Sequence, residues 1–211
     1  MPRLTDDQQG ERRAHILSAA CRCFTRDGFH RTSMQAICKE AGVSPGKLYL
    51  YFPSKEALIA GMIEADRTEL AAAFSMAARS SDVLTAMTAV GRRYFVDEPR
   101  TKSMLTLQIW AESARDPVIR ALCIGIEREV RQNLMFLCET LRDQGRVAPD
   151  VDIDAVVDVL MLMSDGIFKS RALDPTFDCE RAMASLLGVL ASGLAGHLNP
   201  GRTITEVEQI A

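Results

Sequence analysis

No apolar stretch in the chain reaches the ~18 residues of a membrane-spanning helix, so no membrane partner is expected. The opening "MPRLTDDQQGERR" carries no apolar run of signal-peptide type, which predicts a cytoplasmic protein whose six cysteines stay reduced. Strand signals are missing and β-branched residues are sparse, which leaves an all-α fold. HExxH, GxSxG, GxGxxG and Walker A patterns are absent, and His15, His30 and His197 share no metal-ligand spacing. Cys21 and Cys23 resemble a metal or redox pair, but on a helix positions i and i+2 point about 200° apart. Glycines 188, 193 and 196 follow no strand and make no phosphate loop. These absences predict no metal, no cofactor and no enzyme.

What the sequence does hold is helix after helix. Residues 11–27 place Ile16, Ala20, Cys23 and Phe24 on one stripe and stop at Asp27-Gly28. "TSMQAICKEAG" reads as a second helix with Thr32 as N-cap, Gln35 completing a capping box and Gly42 ending it. Ser44 opens a third helix with Pro45 in its first position, and Pro53 stops it at Phe52. Ser54 caps a fourth that runs toward Arg79. Further helices are expected over 82–96, 101–115, 117–144, 152–171 and 178–197, followed by a polar tail that frays.

The charge is uneven. Residues 1–55 hold nine Lys/Arg against five Asp/Glu, a net +4, leaving sixteen against twenty-three, a net −7, for the remainder. A basic head on an acidic body suits a polyanion partner met by the head alone. Two short helices joined by "AGVS" form a helix-turn-helix, in which the second helix enters the major groove. Leu48 and Phe52, at i and i+4, grip a core while Lys47, Tyr49 and Tyr51 point elsewhere. Pro45 and Gly46 keep the backbone close to whatever the tip touches.

The run "RRAHILSAACRCFTRDGFHRTSMQAICKEAGVSPGKLYLYFPSKEALI", residues 12–59, resembles the DNA-binding head of the TetR (tetracycline-repressor) family. Ala-Gly-Val-Ser, Leu-Tyr-x-Tyr-Phe and Ser-Lys-Glu-x-Leu carry the resemblance, and Cys38 departs from the usual alanine. "LQIWAESARDP" and "LDPTFDCERAMASLL" look like the body of acridine-resistance-repressor and betaine-regulator proteins. The resemblance implies a head over 1–55, an effector-binding and dimerisation domain over 56–211, and a homodimeric repressor released from a palindromic operator on double-stranded DNA by a small, largely apolar effector. Carried over by position, the DNA contacts are Thr32, Ser33, Gln35, Ser44, Pro45, Gly46, Lys47, Tyr49, Tyr51 and Lys55. Gln35 and Lys47 are the candidate base readers; the tyrosines and Lys55 are candidates to hold phosphates.

Two further sets complete the reading. Phe95, Met104, Gln108, Trp110, Glu112, Ile126, Asn133 and Met163 mix aromatic, thioether and isolated polar groups as an effector cavity does. Met161, Met163, Gly166, Leu186, Leu187, Leu190, Gly193 and Leu194 are expected to pair two copies as a four-helix bundle. The competing readings are a cysteine-based redox regulator, an all-α enzyme using Glu112 or a cysteine, and an adaptor whose head binds protein.

Overall fold

The computed structural model describes residues 6–197, so the fraying expected of the tail from residue 199 lies outside the described residues. Nine α-helices and no strand occur among the described residues. They are α1 (Asp6–Asp27), α2 (Met34–Ala41), α3 (Pro45–Tyr51), α4 (Lys55–Ala78), α5 (Val83–Arg92), α6 (Arg100–Ser113), α7 (Pro117–Asp143), α8 (Ile153–Leu173) and α9 (Cys179–Leu194). The helix expected over 82–96 is not continuous: α5 passes at Arg93–Asp97 into one turn of π-helix, closed by the Glu98 N–H on the Arg93 carbonyl at 3.1 Å. A five-residue widening of this kind leaves no mark in helical periodicity.

The chain divides into two compact units, Met1–Thr68 with Met104–Ile124, and Glu69–Ser103 with Gly125–Ala211. In the first, Ile16, Ala19, Ala20, Cys23 and Phe24 form an unbroken stripe along α1, every one fully buried. Ile37, Cys38 and Ala41 of α2, Leu48 of α3 and Phe52 join that core, as do Leu58, Ile59, Met62 and Ile63 of α4 and Leu105, Ile109, Ile119 and Cys123. Full burial of a side chain the size of Leu48 or Ile37 contributes ~1.5–3 kcal/mol, so the short α2 and α3 owe their stability to this packing and not to helix propensity.

In the second unit, Leu137, Cys138 and Leu141 of α7 meet Val156, Val157, Leu160 and Ile167 of α8 and Leu186, Leu190 and Leu194 of α9. Asp152 and Asp178 cap α8 and α9 by accepting from the Ala155 and Arg181 N–H groups at 3.1 and 2.9 Å. A Cβ on Gly193 would lie 3.0 Å from Val156 Cγ2, so the missing side chain lets α9 settle against α8. Arg131 of α7 donates to Asp154 at 2.9 Å and Asp158 at 3.0 Å, tying α7 to the first turns of α8.

Candidate nucleic-acid interface

The head is assembled from polar contacts that fix the two short helices before any ligand arrives. Gly28, at φ 83°, turns the chain after α1, and the Thr32 hydroxyl donates within that turn to the Gly28 carbonyl at 2.8 Å. Ser33 caps α2, its hydroxyl accepting from the Ala36 N–H at 3.1 Å. Gly42 ends α2 at φ 61°, the left-handed region that favours glycine, and its N–H reaches the Cys38 and Lys39 carbonyls. The His15 ring Nε2 lies 2.9 Å from the Ala41 carbonyl, pinning the end of α2 to α1. Ser44 then caps α3 with Pro45 in its first turn.

This scaffold leaves a continuous exposed tip. Leu48 and Phe52 are buried beneath it, while Ser44, Pro45, Gly46, Lys47, Tyr49 and Leu50 face solvent, Leu50 with 79% of its surface exposed. Leu50 thus lies on the exposed side of α3, away from the core that holds Leu48. Beside the tip runs an open cleft of about 660 Å³ whose walls include Gln8, Arg12, His15, Ser44 and Lys47. Arg12, Gln8 and Leu50 went unread in the sequence; the count of basic residues included Arg12 without locating it.

The +4 of the head is not spread evenly over its surface. Arg22 meets Glu40 at 2.7 Å, and Arg26 meets Asp27 at 2.9 Å and Glu40 at 3.3 Å. Those hydrogen bonds, Arg22's first, hold the Glu40 carboxyl below its ordinary range, and Arg26 does the same to Asp27. The cations of α1 near Cys23 are therefore neutralised locally, whereas Lys47 and Arg12 line the cleft at the tip, with Glu11 the one acid among its lining residues. Cations beside an exposed, rigidly backed helix end can bind a phosphodiester strand while side chains of the tip reach base edges.

Residues 16–62 match the family model described as "Bacterial regulatory proteins, tetR family", and residues 83–195 match "BetI-type transcriptional repressor, C-terminal". The chain belongs to the TetR family. The HTH-type transcriptional regulator UidR of Escherichia coli (strain K12) is 30% identical over 158 residues, covering 74% of this chain and 79% of UidR. Salmonella enterica GusR superposes with a TM-score of 0.74 at 27% identity, over 92% of this chain and 99% of GusR. A transcriptional regulator from Saccharomonospora viridis, in complex with choline, does so with a TM-score of 0.67 at 25% identity, over 84% and 94% of the two chains. As a TetR-family protein the chain is a transcriptional regulator of helix-turn-helix type.

Within this TetR-family head the structure alters several expected roles. Thr32 is 2% exposed and its hydroxyl is spent on the Cys23 and Gly28 carbonyls, so it is a turn brace and neither the N-cap nor a surface contact. Ser33 takes the capping role, which removes the capping box with Gln35 and leaves Gln35 exposed. Lys55 is turned inward: its Nζ donates to the Phe29 carbonyl at 2.7 Å and sits 4.5 Å from the Phe29 ring centroid. Tyr51 is half-buried and packs against the core, while Tyr49 is 51% exposed.

The effector candidates fall into both units. Met104, Gln108, Trp110 and Glu112 belong to the first; Phe95, Ile126, Asn133 and Met163 belong to the second. Glu112 is committed elsewhere, its carboxylate 2.8 Å from His30 Nε2 of the head and 3.8 Å from Arg115. Gln108 has a buried Oε1 with no hydrogen-bond partner. Asn133 donates to the Glu129 carbonyl of its own helix at 2.8 Å, and Phe95 stacks edge-on with Phe168 at 5.4 Å. Of the dimer candidates, Leu186, Leu190, Gly193 and Leu194 are buried inside their own chain and present almost nothing to a second copy. Met161, Met163, Gly166 and Leu187 are half-buried. An apolar helix face cannot serve the monomer core and a partner together, and here Leu186, Leu190 and Leu194 of α9 serve the core.

Proposed function

We propose that this TetR-family chain is a homodimeric repressor that leaves a palindromic operator when a small molecule binds its C-terminal domain. The observation that carries the reading is the exposed Ser44–Leu50 tip backed by fully buried Leu48 and Phe52. Gln35, Lys47 and Tyr49 read base edges, Ser33 and Arg12 hold phosphates, and Leu50 adds an apolar contact. Two such tips enter successive major grooves when about 34–36 Å apart, which requires two copies of the chain. The partner surface is the exposed side of α8 and α9, with Leu162, Ala184, Gly188 and Ala191 beside the half-buried Met161, Gly166 and Leu187.

The choline bound to the similar Saccharomonospora viridis regulator supports a body that holds a small organic molecule. The cysteine-based alternative has no such support: desolvation raises the Cys23 and Cys38 thiols and pushes Cys138 up to about 11, away from reactive thiolate.

The test begins with operator fragments selected from random-sequence DNA. Affinity should fall steeply with salt, as a phosphate-dominated contact demands; a salt-independent interaction would leave the head as a protein adaptor. Ligand titrated by calorimetry with and without operator should bind more weakly to the complex by the same factor by which it weakens DNA, typically about 5- to 150-fold. Identical ligand affinities in the two titrations would remove the release mechanism.

A further inference from the structure

Arg171, in the last turn of α8, is 9% exposed. Burying an ionised group without an opposite charge is among the costliest arrangements a fold can contain. Other arginines of the second unit meet acids: Arg92 meets Glu180 at 2.8 Å, Arg131 meets Asp154 at 2.9 Å, and Arg142 meets Glu139 at 3.1 Å. Arg171 meets none among the described residues. Its Nη2 donates to the carbonyls of Glu98 and of Val96, the latter at 3.3 Å, and its Nη1 is buried with no acceptor at all.

The surroundings add cationic and donor groups instead of removing them. Arg100 at the start of α6 donates to the Arg171 and Ala172 carbonyls at 3.0 and 2.7 Å, so two guanidinium groups share one neighbourhood on neutral oxygens. The Asp174 carboxylate accepts from the Thr176 N–H at 2.8 Å and hydroxyl at 2.7 Å and acts electrostatically on Arg100, but makes no ion pair with Arg171. One turn along α6 from Arg100, Ser103 is fully buried and its Oγ has no partner. The carbonyls that hold Arg171 lie at the end of the π turn Arg93–Asp97, a distortion that recurs at functional sites. Phe95 within that turn and Phe168, three residues before Arg171 on α8, form an edge-to-face pair.

A buried cation with an unfilled donor on α8, an orphaned hydroxyl on α6 and an aromatic pair between α8 and the π turn describe half of a complementary set. We propose that Arg171 anchors the anionic group of a small organic acid, with Nη1 donating to it, Ser103 as the second donor and the Phe95–Phe168 pair against the apolar body. This rests on the ligand-responsive reading and narrows it, replacing a largely apolar effector with one carrying a negative charge. A carboxylate and a phosphate monoester share the required chemistry. An anion that takes Nη1 draws on the same guanidinium as the Val96 and Glu98 carbonyls, so its binding is linked to the shape of the π turn.

The experiment uses the full chain and five probes: phenylacetate, octanoate and phenyl phosphate as anions, phenylacetamide as the neutral match, and 2-phenylethylamine as the cation. Calorimetry should find at least one anion bound at least tenfold more tightly than the amide, with the amine weakest. Preference for phenyl phosphate assigns a phosphate ester, and preference for the acids assigns a carboxylate. Arg171→Gln should erase the difference between anion and amide, Arg171→Lys should retain some of it, and Ser103→Ala should weaken the anion severalfold. The wild-type comparison alone decides the matter if a variant fails to fold. Equal binding of anion and amide, no binding by any anion, or an anion preference that survives Arg171→Gln overturns the proposal. Release of operator by the amide or the amine would overturn it too, while leaving the ligand-released repressor in place.

Discussion

The edge of the Phe52 ring lies 2.8 Å from where a Cβ on Gly61 would stand, with Leu17 Cδ2 at 3.1 Å. Contact that close means the absence of a side chain at Gly61 lets α4 lie against Phe52 and α1. Phe52 cannot yield easily, being 1% exposed and covered by the Arg13 guanidinium 4.4 Å from its ring centroid. Gly61→Ala should therefore destabilise the protein by about 1–3 kcal/mol, the usual cost of overpacking. Gly125→Ala, in α7 where a Cβ meets nothing within 4 Å, should stabilise by up to ~1 kcal/mol. Thermal melts of the two variants moving in the same direction would contradict this assignment.

Lys47 and Lys55 should separate in a paired measurement. Lys47→Ala removes an exposed base-reading cation at the tip, so it should leave the melting temperature alone and weaken operator binding by about 1–3 kcal/mol, more than binding to random DNA. Lys55→Met removes the brace on the Phe29 carbonyl. It should lower the melting temperature and weaken specific and random DNA alike. Equal stability of Lys55→Met and wild type would return Lys55 to the phosphate-holding role.

Dimerisation is tested by placing arginine on opposite sides of the α8–α9 pair. Leu190 is 1% exposed, and Leu190→Arg should unfold the second unit rather than merely dissociate the dimer, because its charge enters a dry core. Leu162 is 72% exposed, so Leu162→Arg should keep full helicity while sedimentation reports monomers. A dimeric Leu162→Arg protein would move the interface to another face.

Thiol reactivity offers a check that needs no DNA. With its pKa pushed up to about 11 by burial, the Cys138 thiol is ionised at pH 8 to only about one part in a thousand. The half-buried Cys21 and Cys179 should react first with a disulfide reagent, and Cys138 only after urea unfolding. The neutral thiol is the form the fold favours, so this contribution to stability is intact below the ordinary thiol pKa and is lost as pH rises through about 11. Rapid labelling of Cys138 in the folded protein would reopen the redox reading.

Helix identities were legible because their signals are local: the Ser44-Pro45 start, the Gly42 stop and the α1 stripe each sit within a few residues. The recognition helix was legible for the same reason, since Leu48 and Phe52 fix its inner side. Thr32 and Ser33 are easily confused because adjacent hydroxyls both suit a cap, and only the fold shows which one is drawn into the turn at Gly28. The roles of Lys55 and Glu112 were hidden because their partners, Phe29 and His30, lie 26 and 82 positions away in the chain. The leucines of α9 suggested a partner copy because a periodic apolar face does not say what covers it.

The π turn at Arg93–Asp97 also fixes a rotational register. Such a turn is geometrically an α-helix carrying one surplus residue. Deleting one residue there would restore ordinary helix and swing everything beyond it by about 100° relative to α5. The Val96 and Glu98 carbonyls would turn away from Arg171, and Arg100 from the end of α8. The length of this segment is thus as much a feature of its specification as the side chains on it: a substitution within it changes one contact, but a deletion changes them all.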